Sequence, residues 1–209
     1  NRKELLSYEE MLRLCTVLAA NGIEKIRITG GEPFVRTDII DFLEKLTQID
    51  GINTVSITTN GVLTKNYIND LKRIGIRNIN LSLDTLDKER FKKITNRDEF
   101  DKVKDTLFSL ISNDFNVKLN TVVMGGTNHE DILPLTRLSI NLPVDVRFIE
   151  EMPFNGQVKK NGSLLWNAAG ILNEIKKVFP SIADHHTPKN STSQNYKIPG
   201  SKGTVGIIA

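Results

Sequence analysis

The sequence predicts an α/β fold: an incomplete (βα)6 barrel of the TIM-like kind with its first strand missing. Three observations predict it. Short apolar runs alternate with amphipathic helical patterns from Lys25 to Ile149. Each crossover helix must return the chain to the same end of the sheet, so the strands are parallel, and right-handed crossovers curl them toward a barrel. The chain has 209 residues, short of the roughly 250 of a complete eight-unit barrel. It also opens on a helix pattern rather than a strand.

Taken in order, Ser7-Tyr8-Glu9-Glu10 reads as a capping box. The helix it opens carries Met11, Leu14 and Leu18 on one face, and Asn21-Gly22 stops it. Lys25 to Thr29 is a strand running into Gly30-Gly31-Glu32-Pro33. Thr37 or Asp38 caps a helix carrying Ile39, Phe42, Leu43 and Leu46. The unit repeats with strands at Thr54–Thr58, Asn78–Leu83, Asn116–Val123 and Val144–Ile149. Helical patterns lie at Tyr67–Ile74, Lys88–Ile94, Phe100–Asn113 and Glu130–Leu138. Asn155 to Gly162 is polar and turn-rich. Leu164 to Phe179 is a further amphipathic helix, ended by Pro180. Asp184 to Gly203 reads as a linker with a short strand at Asn195–Ile198, and Gly203 to Ala209 begins another apolar strand.

Composition excludes several classes. Hydrophobic residues at 39% and charged residues at 25% are ordinary for a globular protein. No apolar run reaches membrane-spanning length, and the opening residues carry no signal-peptide pattern. Net charge is +3, with Lys and Arg dispersed, so no nucleic-acid footprint is present. The single cysteine, Cys15, lies in a helical pattern and is expected to be buried. One cysteine excludes an intrachain disulfide framework, and a cytoplasmic location is expected. Trp166 is expected to pack, and the adjacent His185-His186 pair is not a metal site. No metal ligands are assigned.

The chemistry gathers where the strands end. Gly30-Gly31-Glu32, Thr58-Thr59-Asn60, Ser82-Leu83-Asp84, Lys118 with Asn120, and Arg147 with Glu150-Glu151-Met152 follow or occupy five successive strands. In parallel α/β folds the pocket lies at those carboxyl ends. Two glycines let backbone lie against a small molecule, and Glu32 can accept from an ammonium group. Arg27 alternates with Ile26 and Ile28, and Lys118 with Val117 and Leu119, so both point away from the helices into the interior. An interior arginine wants a carboxylate or phosphate. Salt bridges to Glu32 or Glu150 are the alternative for both cations. Helix capping is the alternative for Thr58, Asn60 and Asp84, and core filling for Met152.

The segments KIRITGGEP, SITTNGV, INLSLDTLD, VKLNTVV and VRFIEEMPFNG, in this order and spacing, resemble the radical S-adenosylmethionine superfamily. More narrowly, they are similar to the GTP 3′,8-cyclases that begin molybdenum cofactor biosynthesis. The resemblance covers about Leu5 to Asn155. It implies a radical S-adenosylmethionine type of partial barrel over residues 1–155. Residues 156–209 would then form a C-terminal helix and linker leading toward a second cluster region. It implies S-adenosylmethionine contacts at Gly31, Glu32, Ser82, Asn120 and Met152, and GTP contacts at Arg27, Thr58 and Lys118. A reduced [4Fe-4S] cluster would cleave S-adenosylmethionine, the resulting radical would take hydrogen from the GTP ribose, and a second [4Fe-4S] cluster would help hold GTP. An electron donor is implied, and a homodimer is left open. The family's cysteine sets for both clusters are absent from this sequence, so the chain is expected to be inert alone, as an internal piece of a longer enzyme. No catalytic residue is assigned.

Overall fold

The computed structural model describes residues 5–152, 166–187 and 191–209. One eight-stranded sheet runs through them in the order β1-β2-β3-β4-β5-β8-β7-β6. Its strands are β1 (Lys25–Ile28), β2 (Thr54–Thr59), β3 (Asn78–Ser82), β4 (Asn116–Val123), β5 (Val144–Glu150), β6 (Ala183–Asp184), β7 (Gln194–Lys197) and β8 (Val205–Ile208). The first five are mutually parallel, as the βα alternation dictates. The sheet is α/β and mostly parallel, an incomplete barrel with β1 on its edge.

The helices are α1 (Tyr8–Ala20), α2 (Ile39–Thr47), α3 (Ile68–Arg73), α4 (Lys88–Thr95), α5 (Phe100–Ser112), α6 (Ile132–Asn141) and α7 (Ala168–Val178). α1 begins on the expected capping box: Glu10 N–H donates to Ser7 Oγ and Ser7 N–H to Glu10 Oε2. Asp38 does precede α2, but it sits in the left-handed region and makes no side-chain cap. A short 3-10 helix, Pro33–Val35, follows the glycine pair. The expected helix at 164–179 begins at Ala168 in the described residues. Residues 155–164, read as polar turns and the helix start, lie outside them.

Strand alternation sorts the side chains. Ile57, Ile79, Leu81, Leu119, Val144, Val146 and Phe148 are almost fully buried on one face, where the helices pack. Burial of such side chains contributes roughly 1.5–3 kcal/mol each, which fixes the register of every strand. The opposite face carries Arg27, Ser56, Thr58, Asn80, Lys118, Asn120, Asp145 and Arg147. Cys15 is buried as expected. Trp166 stacks on His129 with ring centroids 5.4 Å apart, a packing role.

The stretch 184–203 is more than a linker with one strand. β7 and β6 pair antiparallel, β7 pairs antiparallel with β8, and β8 returns to lie parallel to β5. Gly203 makes this return possible, since a Cβ there would lie 2.0 Å from the Val144 carbonyl oxygen. Among the described residues no helix is long and apolar enough to cross a membrane.

Candidate functional site

The polar face is organised in transverse rows. Thr58, Asn80, Lys118 and Asp145 are successive register partners across β2 to β5. The next row runs Ser82, Asn120, Arg147, Gly206 and Asn195. Neighbouring strands lie about 4.8 Å apart, so row members touch or nearly touch. Gly206 is the member without a side chain. A Cβ there would stand 3.2 Å from Arg147 Cγ, so glycine lets the arginine stem lie flat on β8.

Two adjoining clefts open on this face. One, of about 440 Å³, is lined by Lys25, Arg27, Thr54, Ser56, Asn80 and Lys118 among others. The second, of about 340 Å³, is lined by Lys25, Arg27, Lys118, Asp145 and Arg147, and by neutral polar groups of the β7–β8 region. Lys25, Arg27 and Lys118 belong to both. Arg27 and Lys118 thus share both clefts, but only Lys118 is half-buried; Arg27, expected in the interior, is exposed because β1 is the edge strand. Neither forms a salt bridge to Glu32 or Glu150 among the described residues. Burial pushes the Lys118 ammonium below the usual lysine value, with Arg147 beside it adding to the effect and Asp145 opposing it. Burial likewise lowers Arg147, Asp145 again opposing. Among the described residues four cations stand against one carboxylate, which makes a cleft that attracts a polyanion.

The carboxyl ends of the strands hold the other expected residues. Gly30 follows β1 with φ 140°, backbone that only glycine takes readily, and a Cβ on Gly31 would meet nothing within 4 Å. Glu32 is already engaged. Its Oε1 accepts from Thr59 Oγ1 at 2.8 Å and Phe34 N–H at 3.3 Å, and its Oε2 from Asn60 N–H at 2.7 Å. The carboxylate thus ties the glycine turn to the end of β2 and keeps one lone-pair position on Oε2 for a further donor. Ser82 ends β3 and is exposed. Asn120 carries a buried Oδ1 with no hydrogen-bond partner, an acceptor that costs about 1–3 kcal/mol unless a ligand meets it. Met152 is 69% exposed just past β5, so it does not fill the core. Gly31, Thr58, Ser82, Asn120 and Met152 line neither cation cleft. They stand nearer the carboxyl ends, while Thr58 shares its row with the cleft residues Asn80 and Lys118.

Asp84, a capping candidate in the sequence, caps nothing. Its Oδ1 accepts from Val122 N–H at 2.8 Å across to β4. Asn60 closes its own turn by accepting from Val62 N–H. Burial pushes the Asp84 carboxyl above the usual aspartate value, against the Val122 N–H, which favours the ionised form. A folded value above the unfolded one means that ionisation costs the fold. The contribution is most favourable below the unfolded value and is lost as pH rises through the folded one. Asp84→Asn is therefore expected to raise the urea midpoint at neutral pH more than at about pH 4. Equal changes at both pH values would show that the charge is not the source.

Sequence reasoning missed Lys25 and Asp145, although each sits two residues from a noticed cation, Arg27 and Arg147, and so shares its face. Ser191, Thr192, Asn195 and Thr204 carried no comparable signal, because only the return of β8 to β5 brings them there. Among the described residues no group of three or more His, Cys, Asp or Glu could hold a metal ion. Cys15 lies buried on α1, with burial raising its thiol above the usual value. These residues do not supply the thiolates of an iron–sulfur cluster, whereas the glycine turn and the orphaned Asn120 oxygen suit a small polar ligand with donors.

Residues 1–138 match the family described as the Radical SAM superfamily. The chain is 38% identical over 208 residues to molybdenum cofactor biosynthesis protein 1 of Bos taurus, covering 99% of this chain and 33% of that protein. It is 36% identical over 211 residues to the GTP 3′,8-cyclase of Alkaliphilus oremlandii (strain OhILAs), covering 64% of that enzyme. The chain thus spans about a third of the first curated relatives it matches. Among solved structures, Streptococcus suis SuiB bound to S-adenosylmethionine is similar, with a TM-score of 0.65 and 21% identity over 83% of this chain and 40% of that one.

Proposed function

Because this chain belongs to the radical SAM superfamily, we propose that it is the barrel portion of a GTP 3′,8-cyclase. Its reaction converts GTP to (8S)-3′,8-cyclo-7,8-dihydroguanosine 5′-triphosphate at the start of molybdenum cofactor biosynthesis. The observation that carries the reading is the cation-lined pair of clefts on a sheet face whose carboxyl-end margin holds a glycine turn and an unpaired Asn120 oxygen. A nucleoside triphosphate and a cofactor with donor groups fit those two halves of one face.

In this reading Lys25, Arg27, Lys118 and Arg147 hold the triphosphate, and Thr58 donates to or accepts from the nucleoside. Gly31 and Glu32 receive the methionine end of S-adenosylmethionine, Ser82 and Asn120 its polar groups, and exposed Met152 its adenine. S-adenosylmethionine held by Gly31, Glu32, Ser82, Asn120 and Met152 would, with electrons delivered from outside this chain, supply the hydrogen-abstracting chemistry that closes the GTP ribose onto guanine. The chain's own part is positional: the β-sheet rows fix the distance between the two ligands, and the apolar face behind them keeps that distance constant. Two [4Fe-4S] clusters and an electron donor belong to this reading, with the cluster thiolates supplied from outside this chain. So does the division into a core at 1–155 and a C-terminal part at 156–209 that leads toward the second cluster. A cytoplasmic location goes with it.

The test is a chimera in which this chain replaces its counterpart in the GTP 3′,8-cyclase of Alkaliphilus oremlandii. The expected outcome is cyclised product from GTP. A chimera that cleaves S-adenosylmethionine yet leaves GTP intact would move the chain to another substrate within the superfamily.

A further inference from the structure

We propose that Asp145, anchored by Thr204, is the tuning counter-charge of the polyphosphate cleft: it stands among the cleft's cations and limits how tightly they hold a polyanion. The inference rests on reading that cleft as the phosphate subsite. Among the described residues Asp145 is the one carboxylate lining the second cleft, against Lys25, Arg27, Lys118 and Arg147. It is the register partner of Lys118 across β4 and β5. Thr204 Oγ1 donates to its Oδ1 at 2.8 Å, which holds the carboxylate toward the cleft. Among the described residues it forms no salt bridge, so its charge acts through space on all four cations.

Among the described residues that share the clefts of Lys118, β1 offers Lys25 and Arg27, β3 the neutral Asn78 and Asn80, β5 Arg147 and Asp145, and the β7–β8 wall the neutral Ser191, Thr192, Asn195 and Thr204. Burial, Arg147, Arg27 and Lys25 all disfavour the protonated amine, and Asp145 alone opposes them. Removing its charge therefore does two opposite things. It strips a repulsion from an incoming phosphate, which tightens binding while Lys118 is protonated. It also lets Lys118 lose its proton at a lower pH, so that tighter binding fades sooner as pH rises.

The test titrates the full chain with inorganic tripolyphosphate and with GTP at about pH 7.5 and about pH 9.5. In that window terminal phosphates are ionised and ordinary lysines keep their proton. Asp145→Asn is expected to bind about 3- to 10-fold tighter than the parent at the lower pH. It is expected to lose about 10-fold more of its affinity than the parent by the higher pH. In a Lys118→Arg background both profiles should flatten, because guanidinium does not titrate there. Thr204→Val, which frees the carboxylate without removing it, should move the profile the same way by less, and it carries the test if Asp145→Asn unfolds. Parallel profiles for parent and variants would overturn the role of Asp145. Parent binding that ignores Lys118→Ala and Arg147→Ala would instead overturn the phosphate reading itself.

Discussion

Replacing Lys118 and Arg147 together by alanine is expected to weaken GTP binding by about 3–5 kcal/mol, roughly 10²- to 10⁴-fold. Each cation would donate a charge-assisted hydrogen bond to phosphate, worth about 1.5–3 kcal/mol. Both are half-buried in the same cleft, so salt screens them less than surface charges. Lys118→Ala alone should cost about 10- to 100-fold. The affinity for S-adenosylmethionine should stay within about 3-fold of the parent, because Gly31, Ser82 and Met152 line neither cleft. Calorimetric titration with both ligands separates the two effects. GTP affinity unchanged in the double variant would remove the triphosphate from this cleft.

The second large effect concerns the fold behind the site. Asn128 is 1% exposed and joins three backbone groups at the carboxyl ends of β3 and β4. Its Oδ1 accepts from Met124 N–H at 2.7 Å, and its Nδ2 donates to the carbonyls of Asp84 at 2.7 Å and Val122 at 2.8 Å. Asn128→Ala leaves one donor and two acceptors without partners in a dry place. The expected loss is about 3–4 kcal/mol of unfolding free energy, read from urea denaturation. Asn128→Asp keeps the acceptor but sets a carboxylate against the two carbonyl oxygens in that dry place, so at neutral pH it should cost at least as much as alanine. A loss under about 1 kcal/mol for the alanine variant would mean that water replaces the amide without cost. The same knot holds Asp84 beside Val122, so loosening it should also move the carboxyl ends that carry Ser82 and Asn120.

Much of this was legible because short-range patterns encode it. The five parallel strands follow from alternating segments such as Val55-Ser56-Ile57 and Val117-Lys118-Leu119 set between helical periodicities. The inward direction of Lys118 and Asn120 follows from strict alternation along β4. The capping box at Ser7 is local chemistry, and it forms as written. Met152 shows the limit. As a bare residue type it suggested core, and only its place past the end of β5 makes it 69% exposed.

Taken by itself, the sequence determined which faces are apolar, which strands run parallel, and that polar and cationic side chains share the other face. Those properties depend on periods of 2 and 3.6 residues, which the chain carries locally. Tertiary structure alone decided that β8 returns from 205–208 to pair with β5, bringing Thr204 onto Asp145 and the Ser191–Asn195 wall against four cations. It also decided that Glu32 spends its oxygens on Thr59, Asn60 and Phe34, and that Asn120 keeps a buried oxygen unmet. The reason is separation along the chain. Contacts between residues 27 to 59 positions apart are selected by which arrangement buries the most apolar surface and leaves the fewest polar atoms unpaired. No local pattern records that choice.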